Sequence, residues 1–164
     1  MQLTADQQEL ITLLSRPDQE ILLFEYTDHV FTGIEIWVEI YHYGELIDQR
    51  GGLKTLSDTT LEARPIAITI TQPGQNQFQW IISIGGSSQR GTPWAAEHNY
   101  MARAFGPITE PVAVIDGQEI LLYISRFTTG NTLSAMGDLQ WYLENPETLA
   151  EYTYVHLIKA RFTT

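Results

Sequence analysis

Aliphatic side chains alternate with acidic or aromatic ones through residues 34–41. This period of two constrains the fold more than any other feature of the sequence. An extended chain points successive side chains to opposite faces, so the alternation predicts a β-strand with one buried face. The predicted core face carries the aliphatic residues Ile34, Ile36, Val38 and Ile40. The opposite, partly exposed face carries Glu35, Trp37, Glu39 and Tyr41.

The same pattern recurs in two later segments that are joined by a turn signal. Isoleucines alternate with smaller or polar residues over 66–70, and large apolar residues occupy every second position over 78–84. Pro73-Gly74 between them favours a turn, because proline presets φ and glycine accepts positive φ. The two segments therefore predict a β-hairpin.

A second hairpin is predicted around Asp116-Gly117, which separates the apolar runs 112–115 and 119–124. Asp-Gly between apolar runs is a strong short-range hairpin signal. Further strands are predicted over about 21–27, 46–50 and 152–162. Loops are predicted over the polar residues 51–64 and the glycine- and serine-rich residues 85–93.

Capping signals predict two short helices. Thr4 and Gln7 are spaced as a capping box, which favours an amphipathic helix over 4–15. Asn145-Pro146 favours a helix start as well, because asparagine caps and proline suits the first helical position. The second helix is therefore expected near 146–151.

Residues 94–105 are compatible with two structures. Thr92-Pro93 resembles a helix start and Gly106-Pro107 resembles a helix stop, so a helix is favoured. An irregular edge strand is the alternative.

These elements amount to seven or eight strands with few helices. Turns every ten to fifteen residues favour antiparallel pairing over a βαβ fold. The 164 residues therefore predict one mainly β domain over 1–164, an antiparallel β-sandwich whose residues 1–17 form the N-terminal helix and lead-in. The pattern does not distinguish a sandwich from a barrel.

The charge balance is strongly acidic and argues against nucleic acid as a partner. Nine Lys and Arg residues against twenty Asp and Glu residues give a formal net charge of −11. A nucleic-acid surface requires clustered basic residues, and an anionic membrane repels an acidic one. The acidic excess is interpreted as maintaining solubility, with a surface for calcium or a cation-rich partner as the alternative.

The sequence leaves the cell compartment open. It contains no cysteine, so disulfides, thiolate metal sites and cysteine nucleophiles are excluded. No apolar run is long enough to span a bilayer, and residues 1–14 lack the basic and apolar regions of a signal peptide. The cytoplasm and a mature extracytoplasmic domain are both compatible with this pattern.

The catalytic motifs of hydrolases and nucleotide-binding proteins are incomplete here. Residues 85–89 (Gly-Gly-Ser-Ser-Gln) lack the last glycine of a nucleophile elbow. Gly86 and Gly91 have the spacing of a phosphate loop, but Thr92 occupies the position of its lysine. Neither a catalytic residue nor a nucleotide site is predicted.

No metal or cofactor site is predicted from local spacing either. The four histidines, His29, His42, His98 and His156, form no ligand motif. Glu39 and His42 are three positions apart, so on a strand they face opposite sides. Glu35 and Glu39 are expected about 13 Å apart by strand rise, too far for paired acid–base chemistry, and are interpreted as a solvated face. A calcium site built from distant carboxylates is the alternative.

Aromatic residues provide the candidate contacts with a ligand or partner. Trp37, Tyr41 and Tyr43 follow one face of the 34–41 strand, where they pack beneath another segment or form a stacking platform. Trp94 follows the 85–93 loop, which also carries Arg90. Trp94 is expected to close one end of the core, and the alternative is that it contacts a ligand.

Three segments resemble a group of uncharacterised bacterial proteins that consist of one small β-sandwich domain. The segments are Ile34–Tyr41 with Gly44-Glu45-Leu46, Trp80–Ile84, and Asp116–Ile120. Proteins of this group often carry a secretory or lipoprotein signal, so the resemblance implies an extracytoplasmic location. It implies no activity and no functional residues.

The hypothesis for function is a non-enzymatic binding or interaction domain with a protein or carbohydrate partner. Two alternatives remain at this point. One is a hydrolase acting on glycans or peptides through carboxylates and histidines distant in sequence. The other is a structural partner that acts by edge-strand pairing or oligomerisation, in an unknown oligomeric state.

Overall fold

The computed structural model describes residues 19–26, 31–56, 65–74, 76–134 and 137–164, which form ten strands, a short α-helix and a 3₁₀ helix. The strands are β1 (Gln19–Phe24), β2 (Gly33–His42), β3 (Glu45–Leu56), β4 (Ile66–Thr71), β5 (Gln77–Ile84), β6 (Ser87–Arg90), β7 (Trp94–Ala95), β8 (Ala102–Pro107), β9 (Glu119–Thr128) and β10 (Tyr154–Thr163). The helices are α1 (Trp141–Glu144) and the 3₁₀ helix Pro146–Glu151. The predicted helix over 4–15 lies outside the described residues.

The strands form two antiparallel sheets that face each other, which confirms the predicted β-sandwich. The first sheet has the order β1-β4-β5-β6, and the two-residue β7 pairs with β5 beyond the end of β6. The second sheet has the order β3-β2-β10-β9-β8. The number of described strands exceeds the expected seven or eight because β6, β7 and β8 lie in segments predicted as loop or helix, while the strand expected over 112–115 is not formed.

The main core lies between the two sheets and contains the residues that the alternation assigned to it. Every predicted core residue of β2 is at most 1% exposed. Strands β4 and β5 bury their predicted faces against it, including Ile68, Phe78 and Trp80. Burying an aliphatic or aromatic side chain of this size stabilises the fold by roughly 1.5–3 kcal/mol.

A smaller second core covers part of the outer face of the second sheet. It is formed by β9, β10 and the segment with the two helices, and contains Leu121, Ile124, Leu139, Tyr142, Leu149, Tyr152, Val155 and Leu157. Arg126 is fully buried there and donates hydrogen bonds to the hydroxyls of Tyr142 (2.9 Å) and Tyr152 (2.7 Å). The predicted helix at 146–151 is confirmed as the 3₁₀ helix that closes this core.

The prediction of a helix over 94–105 is wrong, and the edge-strand alternative describes the segment. Trp94 pairs with Phe78 in the β5–β7 ladder, and 102–107 pairs with β9 at the edge of the second sheet. Gly106-Pro107, read as a helix stop, lies within β8. Proline is accepted there because an edge strand leaves one row of backbone groups without partners.

The prediction of a hairpin at Asp116-Gly117 is correct for the turn and wrong for its first strand. Gly117 has a φ of +71°, and Gln118 N donates to Ile115 O at 3.0 Å. Residues 112–115 form no strand. Strand β9 has only two edges, and β10 and β8 occupy both of them.

The predicted loops over 51–64 and 85–93 contain strand residues. Strand β3 continues to Leu56, and residues 57–64 lie outside the described part of the chain. Gly85 and Gly86 have φ of +52° and +92° and connect β5 to β6 as a two-residue hairpin. Two consecutive positive φ values favour such a hairpin, and glycine adopts them without strain.

Candidate functional site

A cavity of about 280 Å³ opens where β2 ends and where β3, β7 and β10 begin. We call it the hairpin cavity, because the β2–β3 hairpin forms one wall. Its lining residues are His42, Ile47, Asp48, Trp94, Ala95, Glu97 and Tyr154.

His42 forms the floor beside Tyr154, its partner in the β2–β10 ladder. The two rings stack with their centroids 4.8 Å apart, and the ring of His98 lies 6.0 Å from that of His42. His42 Nε2 is buried and has no hydrogen-bond partner among the residues that the structure describes. The cavity therefore combines stacked rings with an unused polar atom.

A β-bulge places Ile47 at the rim. Ile40 is opposite Asp48, and Tyr41 is opposite Leu46, so Ile47 is the extra residue on β3. A bulge redirects the side chain that it carries, and Ile47 lines the cavity while about half of it is exposed.

Arg50 connects the two sheets beside the cavity. Its Nε lies 2.5 Å from a carboxylate oxygen of Asp48, and its Nη1 donates to the carbonyls of Thr92 (3.0 Å) and Pro93 (3.1 Å). Residues 92–93 lead directly into β7. Arg50 on the second sheet therefore positions the strand of the first sheet that carries Trp94.

Trp94 belongs mainly to the core, as expected, and also contributes to the cavity wall. It is 7% exposed, and its ring packs edge-on against Tyr154 at 5.3 Å and His156 at 4.9 Å.

His156 is fully buried in an aromatic box behind Trp94 and does not line the cavity. Its ring centroid lies within 5.3 Å of the rings of Phe78, Trp80, Trp94 and Phe127. Burial, with a smaller contribution from the charge of Arg103, holds the pKa of His156 well below its ordinary value. His156 is therefore neutral and has no access to solvent.

The predicted aromatic platform on β2 is engaged in a buried network around Glu39. Trp37 Nε1 and Tyr41 Oη donate to the Glu39 carboxylate at 2.8 and 2.7 Å, and Lys159 Nζ lies 2.7 Å from it. Burial alone would raise the pKa of Glu39, but the bonds from Lys159, Trp37 and Tyr41 outweigh it and hold the pKa below its ordinary value. The interpretation of Glu39 as solvated is wrong, because it is 8% exposed with three donors.

Glu35 belongs to the neighbouring ion pairs on the same face. Arg161 lies 2.6 Å from Glu119 and 4.0 Å from Glu35, and its guanidinium covers the ring of Trp37 at 5.2 Å. Glu35 and Glu39 therefore face different cations, Arg161 and Lys159 respectively.

Tyr43 and Arg90 lie apart from this network. Tyr43 occupies the β2–β3 turn with a φ of +47°, is about half exposed and contacts the ring of His42 at 4.7 Å. Arg90 ends β6 opposite Ile81 and is exposed. Of the residues predicted to contact a ligand, the structure brings Trp94 into the cavity wall and Tyr43 close to it.

A family model described as the YgaN domain matches residues 1–162, nearly the whole chain. The chain belongs to the YgaN domain family. Searches of curated proteins and of solved structures found no match.

Several residues of the hairpin cavity in this YgaN domain were not singled out from sequence. Asp48 and Glu97 are 49 positions apart, and contacts that include those of Arg50 and the β5–β7 pairing bring them to one cavity. His42 was considered only beside Glu39, and the two do face opposite sides of β2, as predicted. Trp94, which follows the glycine- and serine-rich loop, is the lining residue that the sequence did single out.

The described parts of this YgaN domain contain no cluster of three or more His, Asp and Glu residues arranged to hold a metal ion. None of the helices in the described ranges is long and apolar enough to cross a membrane.

Proposed function

We propose that this chain is a non-enzymatic binding domain that takes a ligand, or a side chain of a partner protein, into the hairpin cavity. The observation that carries the proposal is the lining itself. Carboxylates, aromatic rings and an exposed aliphatic residue meet in one opening that is held in place by Arg50.

The size of the cavity suits a small chemical group, and the exposed residues around it suit contact with a partner protein that carries this group. About 280 Å³ is slightly below the range of roughly 300–1,000 Å³ for small-molecule sites. Tyr43, Leu46 and Ile47 are each about half exposed beside it. Exposed apolar residues around a polar pocket are typical of protein interaction sites.

The electrostatics favour binding over catalysis. Catalytic groups are usually those whose pKa is strongly shifted within a cleft. Here His156 lies in the sealed aromatic box and Glu39 lies on the outer face of the second sheet, so neither reaches the cavity. The hydrolase alternative would rest on Asp48 and Glu97, and Arg50 already engages Asp48.

The free strand edges favour side-chain contacts over strand addition. Strand β3 is interrupted by bulges at Ile47 and at Gly52, where φ is +109°. Among the other described edges, β6 has four residues and β1 and β8 have six each. Short or bulged edges are a common protection against strand pairing.

The experiment is a ligand panel followed by the backbone amide signals of the ¹⁵N-labelled protein. The panel contains small amines, carboxylates, neutral sugars and short peptides. We expect at least one class to shift the amides of residues 42, 47–48 and 94–97 while those of β6 stay in place. If no class moves these amides, the proposal is wrong. Turnover of a glycan or peptide that Asp48→Asn abolishes would instead establish the hydrolase.

A further inference from the structure

We infer, building on the proposed function, that the hairpin cavity selects an alkyl cation. The occupant is an ammonium or guanidinium group on an apolar stem, supplied by a lysine or arginine side chain of a partner or by a free amine.

The charges that line the cavity carry this inference. Asp48 and Glu97 are in its wall, and no lysine or arginine is among the lining residues. Arg50, which is beside the cavity, is bound to Asp48 and to the backbone of 92–93. Glu97 is exposed and has no ion pair with any described residue, so its carboxylate is available to an incoming cation.

The uncharged part of the lining suits the same occupant. Trp94 and Tyr154 contribute aromatic surface to the lining, and His42 is stacked on the ring of Tyr154. Aromatic rings attract a cation more than they attract an anion. Ile47 at the rim provides an aliphatic surface for the methylene stem. An anion would instead meet two carboxylates, one of them without a counter-charge in the described structure.

The charge of the whole molecule acts in the same direction. A formal net charge of −11 accelerates the approach of a basic partner and repels an acidic one. The two sources of the cation present the same charged group on an apolar stem. They differ in whether the stem is attached to a protein. A partner protein would also contact Leu46 outside the cavity, whereas a free amine would reach no farther than Ile47 at the rim.

The test uses four probes that share one butyl stem: butylamine, butylguanidine, pentanoate and 1-butanol. Dissociation constants come from the amide shifts of residues 42, 47–48 and 94–97. We expect only the two cations to shift these amides, with affinity falling as salt screens the charges. Glu97→Gln should weaken cation binding about two- to fivefold, the effect of one exposed ion pair. Glu110→Gln, an exposed carboxylate outside the cavity, removes the same charge and should have no effect.

A second arm separates the two sources of the cation. An acetylated, amidated Leu-Lys dipeptide that binds more tightly than butylamine, and is weakened by Leu46→Ser but not by Leu56→Ser, identifies a protein partner. Equal affinity of the dipeptide and butylamine identifies a free amine.

Three results would overturn the inference. If pentanoate or butanol binds as tightly as butylamine, the charge selectivity is wrong although the cavity still binds. The same holds if Glu97→Gln and Glu110→Gln change the affinity for butylamine equally. If none of these probes and no member of the wider panel shifts the cavity amides, the proposed function fails as well.

Discussion

His156 and Trp80 pack edge to face in the core, with ring centroids 5.3 Å apart and planes at 80°. Neither His156 Nε2 nor Trp80 Nε1 has a hydrogen-bond partner in the described part of the chain. A buried polar atom without a partner destabilises the folded state by about 1–3 kcal/mol, and the aromatic box contains two such atoms. A charged imidazole there would cost far more, which is why the pKa of His156 is depressed.

Stability should fall on acidification because of His156. Its pKa in the folded state lies below the ordinary value of 6.5, so the unfolded chain binds the proton first. The contribution of the neutral His156 side chain to stability is therefore fully present above pH 6.5. It is lost as the pH falls, at up to about 1.4 kcal/mol per pH unit. Glu39 adds a similar loss only below its ordinary value of 4.5. Urea unfolding between pH 5 and 8 measures the loss of stability that is due to His156. His156→Phe should flatten this pH dependence, and His98→Gln, at an exposed position, should not.

Lys159→Met should destabilise the protein by about 3 kcal/mol, because it leaves the buried Glu39 carboxylate without its cation. Arg161→Met on the same strand removes a half-exposed cation and should cost about 1 kcal/mol or less. Chemical denaturation at pH 7 compares the two variants. Equal losses would contradict the assignment of the buried pair to Glu39 and Lys159.

Trp94→Ala should lower the free energy of unfolding by about 3–5 kcal/mol, because the ring fills the core against Tyr154 and His156. Trp141→Ala, at an exposed position, should cost about 1 kcal/mol or less. Thermal and urea unfolding test both. A small loss for Trp94→Ala would mean that the side chain serves mainly ligand contact.

Gly44→Ala should destabilise the β2–β3 turn more than Gly86→Ala destabilises the β5–β6 turn. Both glycines have positive φ, which costs alanine about 1–2 kcal/mol. A Cβ at Gly44 would also lie 3.0 Å from Ala150 Cβ, whereas one at Gly86 would meet nothing within 4 Å. We expect about 1 kcal/mol for Gly86→Ala and at least about 2 kcal/mol for Gly44→Ala. Equal unfolding midpoints would argue against the close packing at Ala150.

Much of the sandwich could be predicted from local patterns. The alternation over 34–41 assigned the core face of β2, and the Pro73-Gly74 signal located the β4–β5 hairpin. Both predictions succeed because a period of two and a turn residue are properties of a few neighbouring positions. The segments 94–105 and 112–115 were predicted wrongly, because their structure depends on which strand edge is free.

The candidate site shows the same division. The sequence predicted that Trp94 closes one end of the core. No local pattern marks Asp48 or Glu97 as part of a site. The bulge that turns Ile47 to the rim is visible only in the register of β2 against β3. Glu39 was misread because the cation that neutralises it, Lys159, is 120 positions away.

The sequence by itself determined the mainly β class, the faces of the strands that enter the core and the acidic charge of the molecule. Tertiary structure decided the strand order, the buried network around Glu39 and the assembly of the hairpin cavity. The physical reason is that alternation records which side of a strand avoids water. Pairing partners, bulges and ion pairs depend on contacts between distant residues, and a local pattern does not specify them.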